Sequence, residues 1–326
     1  MSQLPSFESV KSAQQQLRSH ATRTPVLESQ ALNKYLGRKV RFKAENAQII
    51  GAFKFRGAYN AISRLSSQQL EAGVITYSSG NHGQAVAKAA ALLGSNAVVV
   101  MPNNAPQIKL NGVKALGGKV VIYDPDTENR EEVARNIDPD GIRTLIPPFN
   151  HPDVMAGQGT CALEILEDYP TTEQILVPCG GGGLLSGSIL AANASNPDCQ
   201  VFGIEPETAD DALQSLNRGQ IVAIDYPDTI ADGVRTLALG ELTFAIIKQG
   251  VAGILTVSEN SIHVALSTLV HHFKQWLEPS AVLGMAALLE EKVPPANETA
   301  IILSGGNADI ETITDIMAQY PPLNIT

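Results

Sequence analysis

The sequence predicts an α/β protein built as two three-layer units with mostly parallel sheets. Three observations carry that expectation. Short β-type runs recur along the 326 residues, helical stretches lie between them, and glycines or prolines mark many of the joins. Residues 73–77 read as a strand and 84–93 as the helix that follows it. The alternation continues with a strand at 97–101, a helix at 107–116 and a strand at 119–123. Later strands are expected at 174–178, 200–204, 253–257 and 299–303, with a helix over 184–192. The Pro147-Pro148 pair marks a return crossing between units. Residues 70–148 are therefore expected to form a small domain, and 1–69 with 149–326 a larger discontinuous one.

Composition limits the function classes. With 44% hydrophobic and 17% charged residues the chain has the balance of a folded globular protein. A net charge of −10 argues against nucleic acid or an anionic membrane as a general partner. Small anionic ligands must then be captured by local donors. Cys161, Cys179 and Cys199 lack metal-type spacing and read as reduced thiols. Residues 1–10 show no basic segment followed by an apolar run, and no apolar stretch reaches membrane-spanning length. The cytoplasm is the expected location.

The chemistry concentrates in three glycine-containing segments. Gly51-Ala52-Phe53-Lys54-Phe55-Arg56-Gly57 sets a lysine between two phenylalanines. Partial desolvation there lowers the amine's pKa and makes it nucleophilic. Gly180, Gly181, Gly182 and Gly183 follow an apolar run and precede a helical one, so their N–H groups can cradle a phosphate. Ser78-Ser79-Gly80-Asn81-His82-Gly83 forms another strand-to-helix turn, suited to a carboxylate. A nucleophilic amine beside anion cradles suits an aldehyde cofactor that bears a phosphate, namely pyridoxal phosphate. Blander readings compete at each place. Phe53 also suits core packing, and the Ser/Asn turn also suits an ordinary helix cap. The four glycines also suit a Rossmann nucleotide site with Glu205 as ribose ligand, although Leu185 or Ser186 stands where its third glycine or alanine belongs.

Taken in order, these segments resemble the fold-type II pyridoxal-phosphate enzymes of the serine racemase and serine/threonine dehydratase family. Thr24-Pro25-Val26-Leu27, Ala156-Gly157-Gln158-Gly159-Thr160, Ile230-Ala231-Asp232-Gly233, Glu278-Pro279 and Ser304-Gly305-Gly306-Asn307 extend the likeness over nearly the whole chain. The resemblance implies a tryptophan synthase β-like fold, with a large cofactor-binding domain and a small substrate-binding one. It makes Lys54 the Schiff-base lysine and lays Phe53 against the pyridine ring. Asn81 would hold the cofactor's phenolic oxygen, and Ser79 would face the substrate α-carbon opposite Lys54. Ser78, Ser79, Gly80, Asn81 and His82 would surround the substrate, with no catalytic role needed for His82. Ser304 would stand beside the pyridine nitrogen. A neutral hydroxyl there does not enforce pyridinium formation, so the ring is a weaker electron sink and prompt β-elimination is favoured.

The resemblance also implies a divalent cation, Mg²⁺ or Ca²⁺, held by Glu205, the Ala209 carbonyl and Asp211. Arg130 aligns with a racemase arginine at the active-site mouth. Thr236 stands where racemases carry a serine that touches substrate. A homodimer is expected. ATP activation is not, because Ile49-Ile50 replaces the Lys-Thr of ATP-binding relatives and Gln30 replaces their serine. The expected activity is deamination of L-serine or L-threonine to a 2-oxo acid and ammonia, with serine racemisation as a companion reaction. Hydroxyaspartate is a further substrate candidate. A nucleotide-binding oxidoreductase and a catalytically silent amino-acid sensor are the alternatives from other classes.

Overall fold

The computed structural model describes residues 4–78, 80–105 and 107–325. Ten strands occur among them: β1 (Val26–Glu28), β2 (Lys39–Ala44), β3 (Val74–Tyr77), β4 (Ala97–Pro102), β5 (Lys119–Tyr123), β6 (Thr144–Leu145), β7 (Gln174–Pro178), β8 (Gln200–Pro206), β9 (Gly253–Val257) and β10 (Glu298–Leu303). They make a six-stranded sheet in the order β1-β2-β10-β7-β8-β9 and a four-stranded sheet in the order β5-β4-β3-β6. Every strand pairing is parallel except that of the edge strand β1 with β2.

Both sheets are covered on both faces, and the strand sequences show why. Successive strand side chains point to opposite faces, so a strand buried on both sides must be apolar throughout. In β7, Leu176 enters one core while Ile175 and Val177 enter another. In β10, Ile301 and Leu303 join the first of these cores, and Ala300 and Ile302 the second. The first core is closed by the helices Glu259–Phe273 and Leu283–Leu289, the second by Pro152–Asp168 and Gly183–Ser195. The smaller sheet repeats the pattern. Val99 and Met101 of β4 pack against the helices Lys54–Ile62 and Asn81–Leu92, while Val98 and Val100 pack with Ala134 of the helix Arg130–Ile137.

Three strands, β1, β2 and the two-residue β6, fall where the sequence pattern assigns none, and β2 shows why. Lys-Val-Arg-Phe-Lys-Ala offers charged residues at alternate positions, which normally mark a solvated face. Here Arg41 and Lys43 are paired in the interior, and only Lys39 stays partly exposed. Arg41 reaches Glu298 at 2.9 Å, and Lys43 reaches Glu164 at 2.6 Å. Arg56, two residues beyond Lys54, completes this buried network through Glu45 at 2.8 Å and Glu164 at 2.7 Å. It thereby anchors the helix that begins at Lys54. The Ala156-Gly157-Gln158-Gly159-Thr160 segment serves close helix packing. A Cβ on Gly157 would lie 2.6 Å from Gly57 Cα, so only glycine lets these two helices approach.

Candidate active site

Lys54 is the first residue of its helix, and its place is set by the strand beside it. Phe53 N–H donates to Ser304 O at 3.0 Å, just past the end of β10, and Ala52 bridges Gly305. The lysine therefore enters at the carboxyl end of the six-stranded sheet, where open parallel sheets place their ligands. It projects into a cleft of about 920 Å³ that is open to solvent. Phe53, Ser78, Gly80, Asn81, His82, Arg130, Gly180, Gly181, Gly182, Gly183, Thr236 and Ser304 line that same cleft. Residues as far apart in the chain as Phe53 and Ser304 thus meet at one place. Ser79 lies outside the described residues.

Burial lowers the Lys54 pKa to about 8, with the negative charge of Glu278 working against the shift. Its Nζ donates to Pro148 O at 2.9 Å and lies 5.1 Å from the Phe53 ring centre. A sizeable neutral fraction near physiological pH follows, which is the form a nucleophile or a proton acceptor needs.

Two helix N-termini face the cleft. The helix Gly183–Ser195 starts after Gly182, whose φ of +86° is easy only for glycine. A Cβ on Gly181 would sit 2.3 Å from the Phe149 ring, so this turn has no room for a side chain. The first N–H groups of such a helix lack intrahelical acceptors and carry the positive end of its dipole. The glycine turn and these donors fit a phosphate group, and no such ligand is needed to hold the turn's shape. The second helix, Asn81–Leu92, begins three residues earlier than its sequence pattern suggests, which brings Asn81 into its first turn. Asn81 Nδ2 donates to both Glu278 oxygens at 2.8 and 3.1 Å, and Asn307 Nδ2 donates to Asn81 Oδ1 at 2.9 Å. Gly80 N–H donates to Ser78 Oγ at 3.1 Å.

His82 is buried, and that burial, with the nearby Lys54 charge, lowers its pKa to about 3. A neutral ring that donates from Nε2 to Ile146 O at 2.9 Å keeps Nδ1 as an acceptor, which has no partner among the described residues. Thr236 Oγ1 is likewise buried without a partner. The Arg130 guanidinium lies 5.1 Å from the Tyr77 ring centre, at the rim of the cleft.

Several cleft residues carry no role in the sequence-based reading. Glu278, Lys109, Asp232 and Phe149 are the main ones. Glu278 and Asp232 stood within recognised segments, but only the fold shows that their carboxyl groups meet one lysine. Lys109 had no local signal at all, being one lysine on a polar-looking helix.

The proposed cation segment lies apart from this cleft. Glu205 and Asp211 are both fully buried. Glu205 accepts from the N–H groups of Ala212 and Leu213 at 3.1 and 3.0 Å. Neither Asp211 carboxylate oxygen has a hydrogen-bond partner among the described residues. Burial raises the pKa of Asp211 to about 7, and burial followed by the Asp211 charge raises that of Glu205. Two buried acids, one of them orphaned, fit a hard divalent cation. Glu205 is held to the helix Asp211–Arg218 and is absent from the residues lining the glycine-rich cleft, so a ribose there would not reach it.

Comparison with known proteins agrees with this geometry. The family described as pyridoxal-phosphate dependent enzyme matches residues 17–305. A serine racemase of Schizosaccharomyces pombe is 46% identical over 97% of this chain and 98% of its own. An L-threo-3-hydroxyaspartate ammonia-lyase of Saccharomyces cerevisiae is 45% identical over 97% of both chains. The structure of maize serine racemase superposes with a TM-score of 0.92 at 39% identity, covering 97% of this chain and 98% of that one. A lysine of lowered pKa, a glycine turn without room for side chains at a helix N-terminus and this kinship converge on one assignment: the chain belongs to the pyridoxal-phosphate dependent enzymes of fold type II, and it is an enzyme of ammonia-lyase and racemase type.

Proposed function

We propose that the protein deaminates a β-hydroxy amino acid, L-serine or L-threonine, to a 2-oxo acid and ammonia, and also racemises serine. The observation that carries this reading is the convergence of Lys54, with its pKa lowered to about 8, and two helix N-termini on one cleft. In this reading Lys54 carries the cofactor, and Gly180, Gly181, Gly182 and Gly183 hold its phosphate. Phe53 lies on the ring, Asn81 meets the phenolic oxygen, and Ser304 meets the ring nitrogen. When bound, pyridoxal phosphate supplies an electron sink for the substrate α-carbon.

The chain's own groups do the rest. Ser78, Gly80, Asn81 and His82 orient the substrate carboxylate at the second helix N-terminus. Lys54 Nζ, released once the substrate amine takes its place, would accept the α-proton; the β-hydroxyl gains a proton and leaves as water, and hydrolysis of the resulting enamine releases ammonia. Racemisation needs a proton from the opposite face, the role given to Ser79. Arg130 and Thr236 bound the side-chain end of the site. A second reading, 3-hydroxyaspartate as substrate, is favoured by Arg130 and Arg235 on the cleft, which can receive a second carboxylate. Glu205, the Ala209 carbonyl and Asp211 would hold Mg²⁺ or Ca²⁺.

The same reading makes residues 70–148 the substrate-binding domain and 1–69 with 149–326 the cofactor-binding one. It also includes a homodimer, no ATP activation, and work in the cytoplasm. Three buried free cysteines support a reducing compartment, and no helix among the described residues is long and apolar enough to cross a membrane.

The test is a product assay on cofactor-loaded protein with serine, threonine and hydroxyaspartate, alongside Lys54→Ala. The substitution is expected to abolish both turnover and the visible absorbance of the covalently bound cofactor. Cofactor label found on a different lysine after borohydride reduction would overturn the assignment.

A further inference from the structure

We propose that Lys109 is a positioning residue that clasps the cleft, holding the Gly80–Asn81 turn against the six-stranded side at the spacing the amino-acid site needs. Lys109 belongs to the helix Gln107–Ala115, which packs beside the four-stranded sheet. Its ammonium nevertheless pairs with Asp232 and lies 3.8 Å from Glu278 Oε2. Both carboxylates come from the other side of the cleft. Asp232 opens the short turn Asp232–Val234, and Glu278 precedes the turn Pro279–Val282. Glu278 is itself tied to Gly305, beyond the end of β10, through its N–H at 3.1 Å.

The lysine acts on the turn in two ways. Its stem lies directly against Gly80, where a Cβ would come within 2.9 Å of Lys109 Cδ. Its charge partners Glu278, whose two oxygens grip Asn81 Nδ2. The turn is thus supported from beneath by a methylene chain and held in front by a carboxylate that the same residue neutralises. Lys109 is only 2% exposed and Glu278 likewise 2%. Buried charges of this kind persist only when paired, so an apolar residue of equal length would strand Glu278 beside Asn81. Burial works to lower the Lys109 pKa, yet Asp232 and Glu278 outweigh it and raise it, so the ammonium stays charged. Lys109 need not touch substrate to act; it sets where Asn81 and the helix N-terminus stand relative to Lys54.

This inference rests on the proposed amino-acid site, and its test separates the two. Cofactor-saturated Lys109→Met, assayed with the fastest substrate among L-serine, L-threonine and L-threo-3-hydroxyaspartate, is expected to raise KM about tenfold or more. Lys109→Arg is expected to recover most of that loss. Asp232→Asn is expected to act in the same direction, and the double variant to be no worse than the poorer single one. An unchanged KM in Lys109→Met, or damage confined to Tm and cofactor occupancy, would overturn the clasp. Amide hydrogen exchange of residues 80–84 in the holoenzyme gives a readout that needs no turnover. Faster exchange in folded Lys109→Met supports the clasp, and unchanged exchange overturns it. Should the wild-type protein turn over none of the three substrates, the proposed activity falls while the exchange comparison still decides the clasp. Should Lys109→Met fail to fold, Asp232→Asn carries the same comparisons.

Discussion

At the scale of single residues, the cleft works by taking groups away from water. Lys54 has a pKa of about 8, against 10.5 for an ordinary lysine, and burial is the main cause. Desolvation penalises the charged form, so the neutral amine gains population as pH rises through about 8. In cofactor-free protein, competitive acylation of Lys54 is expected to show a midpoint near pH 8, measured by peptide mass spectrometry. Surface lysines in the same sample should respond only at higher pH. A Lys54 midpoint alongside theirs would show that the amine is solvated. Part of this was legible in Gly51-Ala52-Phe53-Lys54-Phe55-Arg56-Gly57, because flanking aromatics already imply a drier amine. The balance with Glu278 was not, since 278 lies 224 positions beyond 54 in the chain. Its charge opposes the shift, and only the fold brings it close.

At the scale of elements, the apolar runs declared themselves and the charged ones did not. Strands β3, β4, β5, β7, β8, β9 and β10 overlap the runs read from sequence, because each is mostly apolar, as strands covered on both faces are expected to be. Strand β2 escaped because Arg41 and Lys43 look solvated until Glu298 and Glu164 arrive from distant segments. The same contrast applies to Glu205 in β8 and Asp211 at the start of the next helix. Sequence likeness named Glu205 and Asp211, but their burial, and the unpartnered Asp211 oxygens, come from the way the helix Asp211–Arg218 folds back on the strand. A cation bound there would join the strand end to that helix. Adding Mg²⁺ or Ca²⁺ to chelated protein is therefore expected to raise Tm. Binding to the folded state alone contributes about 2.7 kcal/mol at a free concentration near one hundred times Kd. Asp211→Asn should remove the response, as followed by differential scanning calorimetry. An equal rise in the variant would place the cation elsewhere.

At the scale of the whole molecule, the cleft draws its walls from both sheets. Ser78 and Gly80 follow β3 of the smaller sheet, while Gly180 and Ser304 follow β7 and β10 of the larger one. Cofactor bound between them would contact both sides and couple their unfolding. Cofactor-loaded protein is expected to unfold in one sharper transition at higher temperature than the cofactor-free form. Comparison by calorimetry, with near-ultraviolet circular dichroism as a second probe, checks this. Identical transitions for the two forms would mean that the ligand does not bridge the sheets.

The amino-acid sequence by itself determined the alternation of strands and helices, the parallel sheets, a lysine set in a dry aromatic context and the glycine turn. These are local properties, since periodicity, aromatic flanking and the absence of side chains are all written within a few residues. Tertiary structure alone decided that Lys109, Asp232, Glu278 and Asn81 meet, that Arg41 and Lys43 are interior, and that Asp211 is left without a partner among the described residues. Charged groups reveal their role only through their partners. Those partners lie far away in the chain, so their pairing is a property of the fold.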